Sequence, residues 1–205
     1  MVGTAGSSCD AIRIPTSGIG VAITNISLKL EHLSASFIVD AEHFFEACRS
    51  SWRWPDLTTL ALTSLLLAPD ERPSEINNML RRAAAVAMKM PNLGTMEIWN
   101  GREGFAMLFR YQTTRDGQAV ITRRGTWEFS LEPSLVRAWE AVALTHSRRR
   151  CAIVDELPVD ATIIKGHGGA IHNLRLSTQL IRPISLQQIR MEHAIARGSL
   201  SGWLS

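Results

Sequence analysis

Two stretches of the chain repeat the same pattern of apolar and polar residues. Residues 54–64 align with residues 90–100 at a constant offset of 36, and each copy begins with a proline after its first residue. The matching positions are Pro55 with Pro91, Leu57 with Leu93, Leu60 with Met96, and Leu62 with Ile98. The last two apolar positions of each copy are two residues apart, which is the period of a strand. We therefore predict two equivalent strands, whose side chains stack in a shared interior.

A looser third copy and two helices extend this pattern. Leu28 and Leu30, in the segment 26–30, have the same two-residue spacing and predict an earlier strand. Residues 41–48 predict a short helix capped by Asp40, and residues 75–89 predict a longer helix capped by Ser74. Strand, turn and helix would thus alternate every 32 to 36 residues. Such a unit needs a neighbour to bury its free face, which is typical of a solenoid.

The pattern changes after residue 100. Residues 106–112 and 119–126 predict a β-hairpin, because Asp116-Gly117 lies in the segment between them. Pro133 opens a further helix, and residues 151–154 predict a buried strand. Residues 163–170 are expected to run into a glycine turn, followed by one or two strands up to residue 181. A final helix is predicted from Leu186 to Arg197.

The predicted fold class is α/β. We expect a leucine-rich-repeat-like, mostly parallel sheet with helices packed along one side and an inserted β-hairpin. Residues 25–197 would form one domain, while residues 1–24 form a flexible segment and residues 198–205 a frayed tail.

Composition narrows the class of protein without naming a reaction. The chain has 205 residues, of which 45% are hydrophobic and 20% charged, so a wholly disordered chain is excluded. Its net charge of +3 is mild and disfavours nucleic-acid binding. No apolar stretch reaches the roughly 18 residues that span a bilayer, and no signal peptide is evident. Three scattered cysteines suit a reducing compartment, so we expect a location in the cytoplasm or nucleus.

One segment has a chemical character. Gly166-His167-Gly168-Gly169 resembles a turn that directs backbone N–H groups at an oxyanion, but the chain has no Gly-x-Ser-x-Gly nucleophile motif. His167 and His172 are five residues apart and have no nearby cysteine, so no metal site or cofactor is predicted. Asp155 follows a predicted strand, at the end where α/β enzymes hold acids. These three residues are weak catalytic candidates, and a structural turn is the preferred interpretation.

Aromatic and basic residues offer weak binding candidates. Trp54 and Arg53 immediately precede one repeated strand, and Trp99 ends the other. Most tryptophans in such positions pack in the interior, whereas an exposed one would anchor a partner protein. Cys48 and Cys151 fall on apolar faces and are predicted to be inert thiols.

Several stretches together resemble an uncharacterised domain family of filamentous ascomycete fungi. They are residues 57–64, 91–101, 125–127, 136–139, 166–176 and 182–190. Members of this family resemble leucine-rich-repeat or F-box proteins, although we find no F-box in this sequence. The resemblance implies the fold described above and brings no activity with it.

Two functions follow as hypotheses. The first is a protein-interaction module without enzymatic activity, which binds a partner protein through its sheet surface and strand-end loops. The alternative is an enzyme with a site at strand ends around His167, His172 and Asp155. Neither hypothesis involves a membrane, and the oligomeric state stays open.

Overall fold

The computed structural model describes residues 17–147, 151–155 and 158–177. The helices are α1 (Ser17–Ser27), α2 (Ala41–Ala47), α3 (Pro73–Ala87), α4 (Pro133–Ser147) and α5 (His167–Asn173). The strands are β1 (His32–Ser34), β2 (Thr59–Thr63), β3 (Thr95–Arg102), β4 (Phe105–Thr113), β5 (Ala119–Gly125) and β6 (Cys151–Asp155). A short 3₁₀ helix covers Ala161–Ile163. None of the described helices is both long and apolar enough to cross a membrane.

The six strands form one sheet whose spatial order follows the chain, from β1 to β6. All neighbours pair in parallel except β4, which is antiparallel to both β3 and β5. Five strands therefore run in one direction. Helices α1 to α4 pack side by side in chain order, while α5 packs against β3 in a separate apolar cluster. The predicted α/β class, with a mostly parallel sheet, is confirmed.

The repeat gives the register of the two central parallel strands. Leu60 lies beside Met96 and Leu62 beside Ile98 in the β2–β3 pairing, so the 36-residue offset is the register itself. All four side chains are fully buried. The neighbouring positions on β2 are also buried, which is the pattern of a parallel strand covered on both faces. The predicted shared interior is confirmed for these two strands.

Local sequence explains where the helices begin. Asp40 caps α2 as predicted, since its Oδ1 accepts a hydrogen bond from the Glu42 N–H at 2.9 Å. Helix α3 begins one residue before the predicted cap, because Pro73 occupies its first turn, where the missing N–H costs nothing. Its buried stripe includes Ile76, Met79 and Leu80. The hairpin is also confirmed, and Gly117 takes a φ of +77° in its turn.

The third repeat copy is a wrong prediction. Ile26 belongs to helix α1, and the first strand begins only at His32, with Leu33 facing the core. Leu28 and Leu30 lie in the turn between them and pack partly against the core. A two-residue spacing over so few positions does not distinguish a strand from a helix end and its turn. Residues 17–24, which we expected to be flexible, form most of α1.

The end of the chain also differs from its prediction. Strand β6 is an edge strand rather than a buried one, with Ile153 41% and Val154 43% exposed. Residues 161–173 form the 3₁₀ helix and α5 instead of a strand and a glycine turn, and Leu174 is a helix cap. The end of the predicted strand region, residues 178–181, and the predicted helix 186–197 lie outside the described residues.

We expect Leu60→Ala and Met96→Ala each to lower the free energy of unfolding by about 2–5 kcal/mol. Each truncation removes buried methylene groups and leaves a cavity in a close-packed interior. Urea denaturation measures the loss. The exposed Leu144 on α4 provides the control, since Leu144→Ala should change the midpoint little. Wild-type midpoints for both core variants would contradict the shared interior.

Helix α4 also carries a half-buried histidine. The His146 ring lies 3.3 Å from the Tyr111 hydroxyl, and burial lowers its pKa, although a contact with the Ala87 backbone partly opposes this. The unfolded chain therefore takes up a proton first as the pH falls below about 6.5. Protonation of the unfolded chain destabilises the native state. The free energy of unfolding therefore decreases from about pH 6.5 until the pH has fallen through the lower pKa that His146 has in the folded protein.

We expect the urea midpoint of the wild type to fall between pH 7.5 and pH 5, and to fall less for His146→Phe. The substitution removes the group whose neutral form the interior favours. The exposed His172 gives a matched control, so His172→Gln should keep the wild-type pH dependence. An unchanged pH dependence in His146→Phe would contradict this assignment.

Candidate functional site at the carboxyl edge of the sheet

The carboxyl ends of the parallel strands lie along one edge of the sheet. Open α/β sheets place their ligand and partner sites at this edge. Here the edge carries three connections: residues 35–40 after β1, residues 64–72 after β2, and the short turn between β3 and β4. These connections and α5 form the candidate site.

Asp40 ties the first two connections together. Its side chain is buried, and besides capping α2 it accepts a hydrogen bond from the Leu65 N–H at 2.7 Å and lies 3.4 Å from the Ser64 hydroxyl. The backbone of Asp40 also bridges Thr63 in parallel. One carboxylate therefore holds the start of a helix and the end of the neighbouring strand in a fixed relation.

An aromatic cluster lies beside Asp40. The Trp99 indole N–H donates to the Ser36 hydroxyl at 3.1 Å, and the Phe37 ring meets Trp99 edge-on at 5.2 Å between centroids. Phe37 also contacts the His167 ring at 4.7 Å. The backbone of Phe37 has a φ of +65°, a strained value that its N–H bond to Thr63 Oγ1 at 2.9 Å helps to hold. The loop after β1 is thus locked onto β2 and β3.

Helix α5 approaches β3 very closely. A Cβ atom on Gly101 would lie 2.2 Å from the Cβ of Ala170, so only glycine fits at this point. The His167 Nδ1 atom lies 2.5 Å from the Gly101 carbonyl oxygen, to which it donates. The segment that looked like an oxyanion turn is therefore the packed start of a short helix.

The three weak catalytic candidates do not converge. His167 contacts a carbonyl and an aromatic ring, whereas His172 is exposed on the same helix. Asp155 ends β6 in register with Ile98, three strands away, so its backbone lies more than about 14 Å from that of Gly101. Among the described residues, no three His, Cys, Asp or Glu side chains gather closely enough to hold a metal ion.

The binding candidates separate in a similar way. Trp54 is fully buried at the opposite end of the sheet, where its indole N–H donates to the Ser27 hydroxyl at 2.7 Å. Trp99 is also fully buried, so both tryptophans serve packing. Arg53 is exposed and remains a binding candidate. Burial raises the pKa of Cys48 to about 12 and that of Cys151 to about 11, which makes both thiols unreactive at neutral pH.

Sequence reasoning missed a buried ion pair on the sheet face that α5 covers. Glu97 on β3 is fully buried, and its Oε1 accepts a hydrogen bond from Arg110 Nε on β4 at 2.6 Å. The same carboxylate accepts the Ser177 N–H at 3.1 Å, and Arg110 donates to the Arg175 carbonyl. Pairing β3 with β4 in register places these two charges opposite each other, which was the available signal.

We expect Glu97→Ala to lower the free energy of unfolding by about 3–5 kcal/mol, because it leaves the nearly buried Arg110 cation without its carboxylate. Replacing both residues by methionine should recover most of this loss. Urea denaturation measures each change. The exposed Glu46–Arg82 pair is the control, and Glu46→Ala should cost less than about 1 kcal/mol. Equal losses at Glu46 and Glu97 would contradict a structural role for the buried pair.

Comparisons with known proteins identify a family and no activity. A family model described as a family of unknown function, DUF6546, matches residues 2–182. The DNA replication and repair protein RecF of Clavibacter michiganensis subsp. michiganensis is 33% identical over 87 residues, which are 42% of this chain and 19% of that protein. The chain thus spans about a fifth of the length of that relative. No solved structure matches this chain. The family match covers most of the sequence, so the chain belongs to the DUF6546 family of unknown function.

Proposed function

We propose that this protein is a protein-interaction module of leucine-rich-repeat-like character. The unit that supports this description runs from β1 through α2, β2 and α3 to β3, with parallel strands on one side and helices on the other. Stacked units of this kind present a continuous surface that suits partner binding. We also propose that the protein is related to fungal proteins of F-box-like character. The same proposal places it in the cytoplasm or nucleus.

The observation that carries the proposal is a pair of exposed apolar side chains on adjacent loops. Ile38, after β1, is 51% exposed, and Leu65, after β2, is 63% exposed. Both lie at the carboxyl edge of the sheet, next to the buried Asp40 side chain. Two exposed aliphatic side chains on neighbouring loops supply an apolar contact surface that a partner protein can cover.

The loops that carry these two residues are pre-organised. Asp40 bonds to the Leu65 N–H itself, and the Ile38 N–H donates to the Ala35 carbonyl at 3.1 Å. Trp99 and Thr63 hold the intervening residues through Ser36 and Phe37. A surface that is already ordered loses little conformational entropy on binding, which raises affinity. We infer that the occupant is an apolar patch on a partner protein.

The sheet surface supports binding less well than the loops. Thr59, Ala61 and Thr95 on the face away from α1–α4 are all less than a tenth exposed. Of the two surfaces expected to bind a partner, the sheet surface and the strand-end loops, our proposal therefore retains the loops.

The alternatives have weaker support. An enzyme would need His167, His172 and Asp155 in one pocket, whereas the sheet places Asp155 three strands away from Gly101, against which His167 packs. Nucleic-acid binding is suggested by the name of the RecF relative. It would need arginines that gather on one face of the protein. The described arginines instead lie on separate elements, such as Arg82 on α3, Arg110 on β4 and Arg124 on β5.

We expect the double variant Ile38→Ser with Leu65→Ser to lose at least tenfold in affinity for a partner that the wild-type protein captures, a loss of about 1.4 kcal/mol. The test is quantitative capture from a fungal lysate, followed by titration of the purified partner. Leu144→Ser, an equally exposed apolar position on α4, is the matched control and should bind like the wild type.

Both variants change exposed side chains, so their urea midpoints should match that of the wild type. A partner that binds the double variant and the wild type equally well would overturn the loop surface as the binding site.

A further inference from the structure

Helix α1 turns polar side chains inward and apolar side chains outward. Thr24 and Ser27 are fully buried, whereas Ile19 is 45%, Val21 53% and Ile26 59% exposed. A surface helix of a globular protein ordinarily has the reverse arrangement, with an apolar stripe that faces the core. The exposed residues of α1 are therefore placed to contact another surface.

Contacts with the rest of the protein fix this rotation of α1. The Thr24 hydroxyl donates to the Gly20 carbonyl, and the Ser27 hydroxyl donates to the Thr24 carbonyl, both at 2.6 Å. Ser27 also accepts the indole N–H of the fully buried Trp54 at 2.7 Å. Gly20 lies against α2, because a Cβ atom there would be 3.4 Å from the Cβ of His43. The polar side of α1 is thus held inward, and its apolar side stays outward.

Three exposed residues, Ile19, Ala22 and Ile26, form one stripe that we call the α1 seam. Each helical residue advances by about 100°, so the three lie within about 60° of one another, on the side away from Gly20. Their three- and four-residue spacing is that of a seam between two packed helices. Val21 is exposed on a different side of α1, about 130° from the centre of the seam.

The α1 seam lies at one end of the described structure. Strand β1 is the edge strand of the sheet, and α1 is the first helix of the row that runs from α1 to α4. Terminal units of stacked repeats need a polar outer face to remain soluble. The outer face of α1 is apolar instead, so it suits contact with a further helix.

The distribution of charge favours a second copy of this chain as the occupant. A two-fold axis brings a helix face against itself, so a charge near the axis would meet its like. Helix α1 has no charged residue in its 11 positions, whereas α2, α3 and α4 all carry charges. The seam is also symmetric, because Ile19 and Ile26 lie on either side of the small Ala22 and would exchange places in an antiparallel pair.

We propose that the protein forms a two-fold symmetric dimer in which the α1 seams of two copies pack antiparallel. Ile19 of one copy would contact Ile26 of the other, and the two Ala22 residues would lie near the axis. The row of helices would thus continue from one copy into the next. The seam contains neither Ile38 nor Leu65, so this proposal does not rest on the loop surface.

Sedimentation velocity at micromolar concentration tests the dimer, and we expect the wild type to sediment as one. Ile19→Glu with Ile26→Glu should raise the dissociation constant by about tenfold or more, because carboxylates would then meet across the axis. Val21→Glu changes an equally exposed position on the same helix and is the matched control, which should remain dimeric. Ile38→Ser with Leu65→Ser should also remain dimeric, which separates this result from partner binding at the loops.

A charge swap tests the antiparallel orientation. Ile19→Lys with Ile26→Glu places opposite charges beside each other across the axis, so it should bind itself about tenfold or more tighter than the doubly acidic variant. Added salt should weaken this swapped dimer, because it screens the new pairs. The substituted side chains are exposed, so the circular dichroism spectra of all variants should match that of the wild type.

Three results would each overturn the proposal. They are a monomeric wild type, dissociation of Val21→Glu to the same extent as the doubly acidic variant, and a charge-swapped variant that associates no better than the doubly acidic one.

Discussion

Parallel pairing of β2 with β3 is the constraint on which the rest of the structure depends. The pairing joins residues 36 positions apart, and it sorts each strand into two faces. Leu60, Leu62 and their partners on β3 meet the helices, while Ala61 and Glu97 face the other side. A shift by one residue would move every one of these side chains to the wrong face. The equal spacing of the two copies therefore encodes the register, and the helix between them only has to span the crossover.

Burial of the second face has a consequence for charge. Glu97 lies on the face that α5 covers, where an unpaired carboxylate would be very costly. Arg110 neutralises it from the next strand, and the backbone of Ser177 supplies a further donor. An apolar pair at this position could stabilise the fold as well. The ion pair is more specific than an apolar pair would be. A chain segment that packs over Glu97 must supply an N–H donor to its carboxylate, as Ser177 does. The ion pair thus selects the path of residues 174–177 across the sheet.

The sequence predicted those elements whose pattern was repeated or long. Strands β2 and β3, helix α3 and the hairpin at Gly117 each had a strong period or a specific turn residue. The predictions for residues 26–30 and 163–170 failed, because so few residues do not distinguish a period of two from one of 3.6. The site residues failed for another reason. His167, His172 and Asp155 were chosen by chemical type, whereas their distances depend on strand order, which local pattern does not reveal.

The same limit explains why a cavity of about 640 Å³ beside β5 and β6 was not foreseen. Its wall combines residues from β4, β5, β6 and α4, which only the complete sheet brings together. The antiparallel strand β4 is the decisive element. Because β4 starts where β3 ends, the tight β3–β4 turn occupies the middle of the carboxyl edge, and no crossover helix is needed there. This turn divides the edge into two parts. One part carries the loops that Asp40 ties together beside β1 and β2, and the other carries the cavity beside β5 and β6. Each part is held by its own hydrogen bonds, and the two parts share no residues.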